Sequence, residues 1–146
     1  MVRGRVGRRA ALAPWPSLVL DSEGLWAVAR NDESARAALD LSRQAGVPVL
    51  VPTAVLAETL FGDDRDARVN QILKKLQIVE ITESVAREAA SLKRSAEVEG
   101  VAATIDAMVV AVSAAAGGGA VLTSDTQDIG KVAGPVSGAQ VRAIRV

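Results

Sequence analysis

The stretch "TIDAMVVAVSAAAGGGAVLTSD", residues 104–125, holds a helix, a turn and a strand in succession. Its first part is apolar on nearly every side, so the helix it predicts belongs in the middle of a protein rather than on its surface. Gly117, Gly118 and Gly119 then supply a tight turn from helix to strand. The following "AVLTSD", residues 120–125, reads as a buried strand that changes chemistry abruptly at its end, into Thr123, Ser124 and Asp125, with Asp128 three residues on.

Working toward the N-terminus, "TESVAREAASLKRSAEVEG" (82–100) predicts an amphipathic helix opened by Thr82 or Glu83, with Val85, Ala89 and Leu92 on one face and Gly100 closing it. "LQIVEI" (76–81) is a strand, 63–75 a charged helix, and "TAVLAETLFG" (53–62) a helix ending at Gly62. "VPVLVP" (47–52) is continuously apolar, as a strand covered on both faces should be. "DESARAALDLSRQAG" (32–46) opens on the acidic N-cap signal of Asp32 and Glu33, carries Ala35, Ala38, Leu39 and Leu41 at helical spacing, and stops at Gly46. "SLVLD" (17–21) is a strand ending in a carboxylate, followed by a helix in "SEGLWAVAR". On the C-terminal side, "TQDIGKVAG" (126–134) is a short helix or turn, and "QVRAIRV" (140–146) alternates like an edge strand. Strands alternating with helices predict an α/β domain around a parallel sheet.

Composition narrows the chemistry. The chain of 146 residues suits one domain, and an apolar share of 49% with one Phe and two Trp favours aliphatic packing over aromatic platforms for bases. With no Cys and no His there is no disulfide, thiolate nucleophile, zinc finger or Ser-His-Asp triad. Carboxylates, hydroxyls, lysines or arginines must carry any catalysis. Arg3, Arg5, Arg8 and Arg9 crowd the start, and without residues 1–16 the body has 13 basic and 17 acidic residues, a charge of −4. That is not the global footprint of a nucleic-acid binder. Residues 1–16 are expected to be a basic, disordered leader or over-extended start, and 17–146 the folded domain. No convincing signal peptide or membrane span appears, so a cytoplasmic protein is expected.

In an open parallel sheet, functional groups collect beyond the C-terminal strand ends. Asp21 and Asp125 follow strands there, Glu58 lies in the helix after the second strand, and Asp106 falls in the first turn of the apolar helix, with Thr104 as its candidate cap. Each also has a plainer role: Asp21 and Asp125 as N-caps, Asp106 as a complement to the helix dipole, Glu58 as a solvated side chain, Asp128 as the N3 member of a capping box. Gathered in one pocket, however, such carboxylates repel and need cations. Magnesium, which takes oxygen ligands, waters and substrate phosphates, resolves that conflict.

The segments "LVLDSEGL", "VPTAVLAETL", "ATIDAMVVAVSAAAGGGAVLTSD" and "DIG" resemble, in order and approximate spacing, those of PIN domains, in particular VapC-type toxins of bacterial toxin–antitoxin pairs. The resemblance spans about residues 17–146. It implies a three-layer α/β/α sandwich with a mostly parallel sheet, magnesium- or manganese-dependent endoribonuclease activity, a VapB-type antitoxin partner and a homodimer. By the same resemblance Asp21, Glu58, Asp106 and Asp125 are the acidic, metal-holding quartet, Ser22 the hydroxyl after the first acid, Thr123 or Ser124 the one supporting the last, and Asp128 an additional acid. The chain departs from the pattern in its arginine-rich leader and in the long approach "SAEVEGVAATID". Lys74, Lys75, Arg87, Lys93 and Arg94 are candidates for phosphate contacts or simply solvated charges. Competing expectations are a catalytically inactive PIN-like module that binds RNA or protein, a stand-alone PIN nuclease, and a phosphatase-like hydrolase using Asp21 as nucleophile, with Glu23 in place of the usual second carboxylate.

Overall fold

The computed structural model describes residues 14–146. Of the expected leader, residues 1–13 lie outside this range. Trp15 packs on the core and donates its indole N–H to the Ser42 hydroxyl at 2.9 Å.

The chain runs β1 (Leu18–Leu20), α1 (Ser22–Ala29), α2 (Glu33–Gln44), β2 (Val49–Pro52), α3 (Thr53–Thr59), a 3-10 turn (Asp64–Asp66), α4 (Ala67–Leu73) and β3 (Gln77–Val79). It continues through α5 (Glu83–Ala96), α6 (Val101–Ala115), β4 (Gly119–Thr123), α7 (Thr126–Ala133) and β5 (Val141–Arg145). The five strands form one sheet in the order β3-β2-β1-β4-β5, parallel throughout. Right-handed crossovers place the connections from β1 to β3 on one face and those from β3 to β5 on the other. The packing agrees: α1 lies against α2 and α4, and α6 lies between α5 and α7. Three layers result, as the resemblance implied.

The central strand is fully enclosed. Leu18, Val19 and Leu20 are all buried, and so are Val121 and Leu122 beside them; removing each such side chain from water contributes roughly 1.5–3 kcal/mol. Helix α6 buries Ala107 and Val109 to Ser113 in an unbroken run, in keeping with its apolar sequence. β5 stands at an edge, as its alternation predicted, and β3 forms the other edge with Gln77 and Ile78 exposed.

Several boundaries differ from those read in the sequence. Helix α3 ends at Thr59, not Gly62, because Leu60 turns extended and the Phe61 and Gly62 amides are taken up by the buried Asp66 carboxylate, at 2.7–3.1 Å. The charged segment after it is a 3-10 turn followed by a short helix. Helix α5 stops at Ala96, where Glu97 adopts a left-handed conformation (φ 57°). Gly100 opens α6 instead of closing α5. In α2 the buried stripe is Ala35, Ala38, Leu39 and Ser42, while Leu41 is 44% exposed.

Candidate functional site

β1 and β4 are neighbours whose onward connections leave on opposite faces of the sheet, so the crevice beyond their C-terminal ends is the topological switch point. Asp21 and Asp125 emerge into it. Leu20 pairs with Leu122, and the Asp21 amide donates to the Leu122 carbonyl at 3.3 Å, which sets Asp21 level with Thr123. Asp21 N-caps α1 through Oδ1, accepting from the Gly24 amide at 2.8 Å. Asp125 N-caps α7 through Oδ1, accepting from the Asp128 amide at 3.1 Å, while its own amide donates to Thr123 Oγ1 at 2.9 Å. Both are therefore caps, yet each cap engages only one carboxylate oxygen.

Glu58 comes from α3, which starts directly after β2 and touches both α1 and α6, bridging the two helical layers. It is exposed, but fixed: the Ser22 hydroxyl donates to Glu58 Oε1. Asp106 comes from α6, whose C-terminal end turns through Gly117–Gly119 into the start of β4; its N-terminal half therefore lies toward the C-terminal end of the sheet, where the other acids are. The first-turn placement does not hold. Because α6 begins at Val101, Asp106 sits in the second turn and is not a first-turn complement to the dipole. Thr104 is not its cap; Thr104 donates back to the Gly100 carbonyl at 2.9 Å and accepts from Lys93 Nζ at 2.8 Å.

The electrostatics link these residues. Asp106 is half-buried, and its carboxyl is pushed from 3.8 up to about 7, first by burial and then by the negative charges of Asp21, Asp128, Glu58 and Asp125. Asp21, itself buried, is also raised, mainly by desolvation and less by Glu23 and Glu58, while the Thr123 hydroxyl and the Gly24 amide hold it down. Every member of the quartet thus lies within the field of Asp106, and Asp128 joins them. Among the described residues, no three acids are drawn as close together as direct ligands of one ion would be. A groove of about 250 Å³ opens beside Asp106 and Asp128, with Lys131, Glu99 and Ala102 also on its walls.

The family model described as "PIN domain" matches residues 18–135. The chain belongs to the PIN domain family. No curated protein sequence matches this PIN domain significantly. Solved structures share its fold. The Rickettsia felis VapBC2 structure, bound to a DNA fragment from its promoter, aligns with TM-score 0.64 and 12% identity over 87% of this chain and 98% of that one. A Klebsiella pneumoniae toxin–antitoxin complex aligns with TM-score 0.62 and 18% identity over 85% and 99%. DNA-bound VapBC from Salmonella typhimurium gives 0.63 and 14% over 87% and 97%.

Of the expected phosphate contacts, Arg87 is paired with Glu83 at 2.7 Å and Lys93 is bound to Thr104. Lys74 and Lys75 follow α4, in the helical layer opposite α6. Two residues near the acids were missed in the sequence. Lys131 reaches the groove from α7, three residues after Asp128 and on its face of the helix, a spacing that could have singled it out; Arg145 grips the loop after β4 and has no such relation to an acid.

Proposed function

We propose that this PIN domain is a magnesium-dependent endoribonuclease acting as the toxin of a VapBC-type toxin–antitoxin pair. The observation that carries the proposal is the charge conflict at the switch point: burial and then four neighbouring carboxylates push the Asp106 carboxyl up to about 7. A fold gains nothing in stability from that arrangement, whereas a divalent cation relieves it.

Magnesium or manganese fits the donor set, which consists of carboxylate and hydroxyl oxygens only. Magnesium keeps several waters and takes one or two carboxylates directly, so three acids in direct ligation are not required. Asp21, Asp106 and Asp125 would hold the ion, with Glu58 ligating it or positioning the attacking water. When bound, the ion supplies a water of lowered pKa and positive charge for the leaving oxygen. The chain's own contribution is placement. The α1 cap and Thr123 fix the Asp21 carboxylate, Ser22 orients Glu58, and the α7 cap fixes Asp125. Water as nucleophile leaves a 5′-phosphate and a 3′-hydroxyl.

Chains of this fold occur in VapBC and toxin–antitoxin structures, which supports an antitoxin partner. Incubating the protein with RNA and magnesium, beside Asp21→Asn, tests the activity. Cleavage is expected from the native protein and a loss of at least about a hundredfold from the variant, the scale of removing one electrostatic catalytic group. Primary products ending in 2′,3′-cyclic phosphate would contradict the water mechanism, and RNA that is bound but uncut in magnesium and manganese would favour the inactive module.

A further inference from the structure

We propose that Arg145 is a positioning residue for Asp125, holding its carboxylate toward the metal site. This rests on the preceding assignment of Asp125 to that site. The ladder between β4 and β5 ends where Thr123 pairs with Arg145, and the Val146 amide donates to the Thr123 carbonyl at 2.9 Å. Beyond it, β4 has no strand partner. Ser124 and Asp125 are exposed, and Asp125 adopts φ −113° and ψ 76°, values of neither helix nor strand. No backbone ladder therefore holds this segment, whose own restraints are the Asp125 bonds to Thr123 Oγ1 and to the Asp128 amide.

The Arg145 guanidinium supplies what the ladder lacks. Nη1 donates to the Ser124 carbonyl and Nη2 to Thr126 Oγ1, each at 2.9 Å. These acceptors belong to the residues immediately before and after Asp125, so one rigid planar fork straddles the acid. Arginine suits this bridge because its donors are fixed in a plane, whereas lysine offers a single mobile point charge. Outer groups that orient a metal's ligands are commonly worth about ten- to a hundredfold in metal affinity or activity.

The experiment titrates Mn²⁺ into the full chain, followed by electron paramagnetic resonance, for the native protein, Arg145→Gln, Arg145→Lys and Asp125→Asn, with amide exchange at 124–128 and RNA KM measured in parallel. We expect both Arg145 variants to weaken Mn²⁺ binding about tenfold or more, to speed exchange in the loop and, at saturating Mn²⁺, to leave the RNA KM unchanged. Failure of lysine to rescue separates the fork from mere charge. Native-like Mn²⁺ affinity in Arg145→Gln, alongside loss in Asp125→Asn, would overturn the inference and leave the site assignment standing. Native affinity in Asp125→Asn would remove the assignment and this inference together. Should Arg145→Gln fail to fold, Thr126→Val cuts the same bridge from its other end. A several-fold loss of affinity there supports the role, and an unchanged affinity refutes it.

Discussion

Asp106 shows at the scale of one residue how the site sets itself against the fold. Its carboxyl lies near 7 in the folded chain and near 3.8 otherwise, so between those values the folded state holds a proton that the unfolded state has released. Stability from this group is complete below about pH 4 and is lost as pH rises through about 7. Asp21, raised for related reasons, adds a slope of the same sign. In chelator, the melting temperature of the native protein should fall as pH rises from about 5 to about 8, and Asp106→Asn should flatten much of that fall. Parallel profiles for the two proteins would show that the carboxyl is not perturbed. The sequence offered capping and metal binding as alternatives for Asp21 and Asp125, but a carboxylate has two oxygens and the fold uses one for each cap. No local pattern could reveal that both roles are compatible, since the second depends on residues from other elements.

Among the elements, the contact of α1 with β4 does most to place the site. A Cβ at Gly24 would collide with the Leu122 carbonyl oxygen, so this helix meets the strand at a separation only glycine allows. Gly24→Ala must push α1 away from the backbone of β4, at a cost of about 1–3 kcal/mol or more, read as a lower urea midpoint. Because the Gly24 amide also donates to the capping Asp21 carboxylate, metal affinity should drop with it; a destabilised variant with native affinity would uncouple the two effects. The strands were legible because continuous apolar runs ending in polar groups have few other uses in a chain this size. Helix ends were less so. Gly100 reads equally well as a stop for α5 or a start for α6, and only its neighbours' conformations decide: Glu97 turns left-handed and α6 begins without a side-chain cap. Leu41, two residues from Leu39, turns outward, and the inner side carries Ser42, whose partner Trp15 lies 27 residues away in the chain, beyond any local pattern. Arg145 was invisible for the same reason, its partners lying 19 and 21 residues away.

Over the whole molecule, parallel strands with a crossover between β3 and β4 bring acids from four separate helices and their caps to the C-terminal end of the sheet, in a body already carrying excess negative charge. Strand order follows from physical rules only once pairing is known; in the sequence, the gathering of these acids was carried by resemblance and by the general habit of switch points. The arrangement makes the fold itself a reporter of the ion. A ligand bound only by the folded state stabilises it by about 2.7 kcal/mol at a hundred times its dissociation constant. In a domain of this length that is worth roughly 5–10 °C in melting temperature. Magnesium should therefore raise the melting temperature of the native protein by that order, while sodium chloride at equal ionic strength, which only screens the acids, should raise it much less. Asp21→Asn and Asp106→Asn should respond to the two salts alike. If the native protein also responds to both alike, its carboxylates are relieved by screening alone and no ion is held between them.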